Sequence, residues 1–411
     1  VIVSCFPPSK GGVENSSYKL AIGLANSGHH VTVVTSSRGK YVGHYVEQMG
    51  PLRVIRFPEK YFLFEAPLVP RIALAALTED YDILHVHGMT PPMTDLAILF
   101  GKIRRKPVVL TYHNDAHLTT PGFFGGIVEA VYSKFAIPIL ALTDRVVSST
   151  QSYAETSPIL RHFMKKVSII PWGTSAIARR NDDARPYTPT SGSDRNGKKR
   201  LLFVGQMKEY KGVNILLEAV ANLNRHGHQV SAELVGAGPH LNSLKSAAHL
   251  LKLNDNVRFW GEVSDEVLSQ MFDYCDALVL PSLNRREAFG LVQLDAFAAG
   301  KTVVASDIAG VKDVARMGKG YLARPNDVSS LVQNISLALK FPIESKHLQG
   351  VAENLTWTNT SKKYEKLLYE TMEDLRTPMF VLPISATIIA LQSKGSTVWA
   401  SIVQTVTSLF T

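Results

Sequence analysis

ALVLPSLNRREAFGLVQLDAFAAGKTVVA, residues Ala277–Ala305, decides how the chain is built. An apolar run, Ala277–Pro281, is followed by a polar loop, a helix-forming stretch closed by Gly300, and a second apolar run, Thr302–Ala305. Two short apolar strands joined through a helix make a parallel pair with a crossover. Between them, PSLNRREAFGLVQLDAFAAG (Pro281–Gly300) sets Glu287 in the loop, Phe289-Gly290 at a turn, and Asp295 on the helix. Asp295 is expected about two turns in, at 3.6 residues per turn. A helix opening beside Gly290 offers free backbone N–H groups and a positive dipole end, which together suit a phosphate. One carboxylate before that cradle and one after it can bracket a sugar and a ribose, the layout a nucleotide-sugar needs.

The same strand–loop–helix grammar runs outward in both directions. Val1–Ser4, Val31–Thr35, Ile83–Val86, Val108–Thr111, Arg145–Ser148 and Val167–Ile170 read as strands, with a helix over about Asn15–Ser27 after Gly11-Gly12. RRNDDARPYTPTSGSDRNGKKR, Arg179–Arg200, has no apolar periodicity and reads as a linker. The pattern then restarts, with strands at Leu201–Gly205, Glu233–Gly236 and Val257–Trp260 and helices at Val213–Asn224 and Leu241–Leu251. The expected fold is α/β, two doubly wound Rossmann-like domains facing a cleft, with ligands outside the strand carboxyl ends. The expected divisions are 1–178, a linker 179–200, 201–355, a helical region 356–376 that packs back towards the first domain, and an apolar tail 377–411.

Composition agrees. At 411 residues the chain exceeds one ordinary core. With 45% hydrophobic and 19% charged residues it is globular. A net charge of +9 suits phosphate-bearing ligands or an anionic surface, but no aromatic-basic motif accompanies it, so nucleic acid is not expected as a partner. Only Cys5 and Cys275 are present, far apart, which points to a reducing compartment and no disulfide framework. No Cys/His spacing suggests zinc, and no charged n-region leads into an apolar signal core.

Several strand-to-helix loops carry candidate chemistry. Lys10-Gly11-Gly12-Val13-Glu14 lets backbone approach a ligand, although a glycine pair more often only makes a turn. His113, in TYHND, follows a strand's carboxyl end. Lys211, in GQMKEYKG (Gly205–Gly212), stands near a helix start where it can offer a point charge to a diphosphate; alone, it would read as a solvated lysine. Gly236-Ala237-Gly238 lacks the third glycine of a dinucleotide fingerprint. Asp80-Tyr81-Asp82 has the form of a metal-binding DxD, but it precedes a strand and reads as a solvated turn.

In order and spacing, these loops resemble those of the family-4 retaining glycosyltransferases, which have the GT-B architecture. The resemblance rests on GGVE (Gly11–Glu14), DILHVHG (Asp82–Gly88), FVGQMKEYKG (Phe203–Gly212), LVGAGP (Leu234–Pro239) and the Pro281–Gly300 segment, and it extends from Val1 to about Leu375. It implies that Glu287 touches donor-sugar hydroxyls and that Gly290 and Leu291 present N–H groups to the diphosphate. It implies that Asp295 holds the ribose, Lys211 neutralises the β-phosphate, and His113 sits beside the sugar. It implies too that Gly12 lets the N-terminal loop reach the donor and that backbone near Glu262-Val263 reads the base. Two positions depart from the family. Gln206 stands where arginine is common, leaving Lys208, Arg285 or Arg286 to compensate, and Asp295 is one methylene shorter than the usual glutamate.

The implied reaction is metal-independent transfer of a hexosyl group, with retention, from a nucleoside diphosphate sugar to a hydroxyl of a glycan or lipid-linked acceptor, in glycolipid, polysaccharide or glycoprotein-glycan assembly. No cofactor beyond the donor is implied. The alternatives are an epimerase or phosphorylase of the same architecture, and a non-catalytic nucleotide-sugar-binding subunit. A cytoplasmic location is expected. The tail beyond Thr377 carries one charge, Lys394, and two apolar stretches that each fall short of the ~20 residues a bilayer span needs. It either touches the cytoplasmic face of a membrane peripherally, packs on the protein itself, or is disordered; the basic run Lys102–Lys106 could add attraction to a membrane but reads rather as an exposed loop before a strand.

Overall fold

The computed structural model describes residues 1–9, 11–37, 44–59, 61–63, 66–88, 92–115, 132, 134, 136–174 and 198–376. Most of the expected linker (179–197) and the whole apolar tail (377–411) lie outside the described residues. The chain divides into two compact units. One holds Val1–Ser148, Ala154–Ile170 and the chain from Ser361; the other holds Ser149–Tyr153 and Pro171–Thr360.

In the first unit the strands are β1 (Thr32–Ser36), β2 (Tyr45–Met49), β3 (Leu52–Phe57), β4 (Tyr61–Leu63), β5 (Ala66–Leu68), β6 (Leu84–His87), β7 (Val108–Tyr112), β8 (Arg145–Ser148) and β9 (Val167–Ile169). A four-stranded parallel sheet has the order β6-β7-β8-β9, and a three-stranded sheet the order β1-β3-β2. Ile2 joins them, bridging in parallel to Val34 on β1 and Val86 on β6. The amide of Ile2 donates to His85 O at 2.8 Å, and the amide of His87 donates to Ile2 O at 2.8 Å. The expected strand Val1–Ser4 is therefore reduced to a bridge. The antiparallel hairpin β2–β3 was not expected. Its outer strand alternates half-buried and exposed residues, as an edge does, so it lacks the continuous apolar run that marks the buried parallel strands. Every residue of β7, by contrast, is buried.

The second unit carries a six-stranded parallel sheet. Its strands are β10 (Lys199–Val204), β11 (Val230–Val235), β12 (Val257–Gly261), β13 (Ala277–Leu280), β14 (Thr302–Ser306) and β15 (Tyr321–Ala323), in the order β12-β11-β10-β13-β14-β15. The chain lays strands outward on one side of β10, then crosses back to begin β13 on the other. The helix Val213–Arg225 buries Val213, Leu216, Leu217, Val220 and Leu223 in the core over this sheet. Both units are thus Rossmann-like α/β domains.

Candidate active site

An open doubly wound sheet leaves a crevice where its strand order reverses, at the carboxyl ends of the two central strands. In the second unit those strands are β10 and β13, which pair directly. The loop after β10 turns through a short 3-10 helix, Glu209–Lys211, and enters the next helix at Gly212 with φ 67°. A Cβ on Gly212 would overlap the Pro281 carbonyl oxygen, so only glycine lets this loop lie against the end of β13. The amide of Leu283 donates to Tyr210 O at 2.7 Å and fastens the two loops together.

Across this junction the Lys211 ammonium donates to Glu287 Oε2. The two side chains are only 14% and 12% exposed, so the pair is largely removed from water. Burial opposes the charge on Lys211, but the Glu287 carboxylate, with Tyr210, outweighs it and holds the amine above its ordinary pKa. Ser282 Oγ lies 3.5 Å from the same carboxylate oxygen.

Beyond Glu287 the chain turns at Gly290, φ 74°, where a side chain would run into Leu280 and the Gln293 amide. Gln293, fully buried, secures the turn by donating to Phe289 O at 2.9 Å and Val311 O at 3.2 Å. The helix that follows is Val292–Ala298, with Leu291 as its N-terminal flank. The first amides of any helix lack an acceptor four residues back, so Leu291 and Val292 stand where an anion is favoured.

Asp295 lies in the first turn of this short helix, not two turns in. Thr174 Oγ1 donates to its Oδ1 at 2.6 Å. Thr174 is itself pinned by backbone: its amide donates to Leu355 O at 2.8 Å, and Gly173 approaches Thr356 so closely that a Cβ would overlap it. Gln206 is exposed on the β10 loop, and Val263 is half-buried just past β12. Of the cations that could stand in for an arginine at Gln206, Arg285 lies over the Tyr153 ring (4.3 Å) and donates to Tyr153 O at 3.2 Å. Arg286 lies over Tyr210 at 5.0 Å, the ring that Lys211 also faces at 5.5 Å.

Within the first unit, Gly12 opens the helix Gly12–Asn26, exposed, and a Cβ there would meet open space. Its own packing does not demand glycine. His113 follows β7 and is buried, 8% exposed. Its loop is anchored by Asp115, whose Oδ1 accepts from the Tyr112 hydroxyl at 2.8 Å and from Ser157 Oγ at 2.5 Å. His113 Nε2 lies 3.0 Å from His87 Nδ1. His85 Nε2 lies 2.7 Å from Thr111 Oγ1, which is 3.1 Å from the Tyr364 hydroxyl on the helix Trp357–Arg376. Burial lowers the pKa of His85 and of His113 to about 3, and pushes His87 well below the usual histidine range.

Thr174, His85 and His87 were not singled out in the sequence. The alternation His85-Val86-His87 was a usable signal: period two puts both imidazoles on one face of β6, and His87 pairs in register with Thr111, two residues before His113. The remaining expectations fall elsewhere. Asp80 and Asp82 are exposed, and the Tyr81 hydroxyl donates to Ala76 O at 2.6 Å, closing a turn. In the basic run, Lys102 donates to both Asp144 oxygens at 2.9 Å, and Arg104 lies over Tyr81 at 5.2 Å. Among the described residues no group of three or more His, Cys, Asp or Glu is arranged to hold a metal, and no helix is long and apolar enough to cross a membrane.

The two Rossmann-like units, with the family matches that follow, make the chain a glycosyltransferase of the GT-B fold, an enzyme that transfers sugar from a nucleoside diphosphate sugar. Residues 10–175 match Glycosyltransferase Family 4 and residues 190–354 match Glycosyl transferases group 1, and the chain belongs with the proteins that combine these two domains. It is 29% identical over 338 residues to an O-antigen chain mannosyltransferase C of Escherichia coli, covering 80% of this chain and 84% of that one. It is also 29% identical over 287 residues to a D-rhamnosyltransferase of Pseudomonas aeruginosa, covering 67% of this chain and 69% of the other. Its fold matches that of a sucrose-phosphate synthase from Thermosynechococcus elongatus with TM-score 0.71 at 21% identity, over 91% of this chain and 98% of the other.

Proposed function

We propose that the chain is a retaining hexosyltransferase that needs no metal ion and builds a polysaccharide or a lipid-linked glycan. The observation that carries the reading is the Lys211–Glu287 pair at the switch point, beside the open amides at Leu291 and Val292. In transfer, the bond from the anomeric carbon to the diphosphate oxygen breaks, and the acceptor oxygen bonds to that carbon on the same face. The acceptor proton passes to the departing phosphate. Negative charge grows on the diphosphate, and Lys211 with the helix start neutralises it in place of a cation. Glu287, released from Lys211 as the diphosphate takes over the ammonium, meets the sugar hydroxyls. Asp295 takes the ribose, Gly290 and Leu291 the phosphates, and backbone at Val263 the base. Arg286 supplies the second cation that Gln206 does not.

In the first unit, His113 and Gly12 are the residues assigned to the reaction. Both relatives are named for transfer of a deoxyhexose or hexose, and one for O-antigen assembly, which favours a glycan acceptor. Peripheral contact with a membrane would follow from a lipid-linked acceptor.

The test is transfer from a panel of uridine and guanosine diphosphate hexoses to lipid-linked and free glycan acceptors, with the product's anomeric configuration read by NMR. Nucleoside diphosphate should appear only with acceptor, with the donor's anomeric configuration kept, and undiminished by EDTA. Glu287→Ala should abolish most turnover while the fold persists. Near-normal turnover in that variant would sink the site assignment, and an inverted product would sink the retaining mechanism.

A further inference from the structure

The histidine cluster of the first unit contains two unsatisfied nitrogens whose positions decide where its protons lie. His85 and His87 are 3% and 2% exposed, and His85 Nδ1 and His87 Nε2 have no hydrogen-bond partner among the described residues. The rings pack against one another, with centroids 4.3 Å apart for His85–His87 and 5.3 Å apart for His87–His113. Burial keeps all three neutral, so each ring carries one proton on one nitrogen.

At the 3.0 Å contact between His87 Nδ1 and His113 Nε2, one nitrogen donates and the other accepts. Two arrangements satisfy it. If His113 Nε2–H donated, His87 would carry its proton on Nε2, a buried N–H pointing at nothing. If His87 Nδ1–H donates, the orphan at Nε2 is a bare lone pair. Orphaned buried donors are rarer in proteins than under-used acceptors, because an unmet N–H forfeits its whole hydrogen bond with water. The same logic gives His85 its proton on Nε2, donated to Thr111 Oγ1, with the bare lone pair at Nδ1.

We propose that His87 is a positioning residue: its Nδ1–H donates to His113 Nε2 and so fixes His113 as the Nδ1–H tautomer. His113 then has its basic nitrogen occupied and its proton on the other. Resting on the reading that His113 takes part in transfer, this leaves neither of its nitrogens as an available base and removes it as a general base. The acceptor proton must then leave by another route, in keeping with its transfer to the departing phosphate.

The test is nitrogen NMR on the full chain labelled with [15N]histidine, with the His113 and His87 resonances assigned by comparison with His113→Asn and His87→Asn. His113 should show a protonated, pyrrole-type Nδ1 and an unprotonated, pyridine-type Nε2 at neutral pH. The reverse pattern, or rapid exchange between the two, would overturn the proposal. His87→Leu removes the donor and should lower kcat roughly tenfold, the worth of one hydrogen bond. His87→Asn, whose amide N–H sits near the lost Nδ1–H, should recover most of it; equal loss in both variants would overturn the positioning role. Because the nitrogen pattern is read on unmodified protein without turnover, it does not depend on the activity of either variant. It is also independent of the part His113 takes in transfer, which turnover of His113→Ala tests separately.

Discussion

Replacing Lys211 by methionine separates what the Lys211–Glu287 pair does for folding from what it does for chemistry. Methionine keeps the length and apolar stem of lysine but removes the charge. Glu287, 12% exposed, is then left with Ser282 Oγ at 3.5 Å. Breaking a fully buried ion pair costs about 3–5 kcal/mol, and the residual exposure of both side chains places this one near about 3. With a urea dependence of about 2 kcal/mol per molar, the midpoint should fall by about 1.5 M. Adding Glu287→Gln removes the stranded charge, so the double variant should return to within about 1 kcal/mol of the parent. Tryptophan fluorescence suits the measurement, because Trp172, Trp260 and Trp357 all belong to the second unit. Turnover should not follow stability: the double variant should be nearly as stable as the parent and nearly inactive. A double variant that transfers sugar at the parental rate would make the pair purely structural, and a single variant as stable as the parent would refute the electrostatic argument.

Thr174→Val keeps the shape but removes the donor to Asp295, and should raise the donor KM roughly tenfold with kcat little changed, as measured in donor titrations. Gly290→Ala forces a side chain into a left-handed turn against Leu280 and should lower stability by at least about 1–2 kcal/mol and abolish nucleotide binding by calorimetry. The histidine cluster should make the protein acid-sensitive. The folded-state values of His85, His87 and His113 lie below the ordinary one, so the unfolded chain takes up protons that the folded chain refuses. Stability is therefore full above about pH 6.5 and falls as pH drops towards about 3, by up to about 4 kcal/mol per pH unit for the three together, visible as a falling urea midpoint that His85→Phe partly relieves.

The second unit's part of the candidate site was legible in the sequence because its residues sit on loops of one sheet. Glu287, Gly290, Leu291 and Asp295 fall within nine residues; that Lys211 meets Glu287 follows only from the pairing of β10 with β13. The length of that helix was not legible. Its apolar pattern continues back through Phe289, but the left-handed Gly290 delays the helix to Val292 and moves Asp295 into the first turn. Thr174 was hidden for a different reason. It acts on Asp295 from 121 positions away, and its own place is set by Gly173 and Thr356, a backbone contact with no side-chain signature. His113 stands alone in the sequence, and it meets His87 only once β6 and β7 pair in register.

Thr174 also bears on the shorter acid at position 295. A glutamate there would reach one methylene further from the helix and could find a ribose by its own flexibility. Aspartate cannot, and in the role proposed for it its carboxylate must be held where the ribose arrives. The hydrogen bond from Thr174 fixes one carboxylate oxygen, and a side chain with two torsions loses less freedom on being fixed than one with three. Reach is thereby replaced by preorganisation. It follows that Asp295→Glu should not behave as a repair: the longer chain would push its carboxylate past Thr174, and donor affinity should fall even though the family's usual residue has been restored.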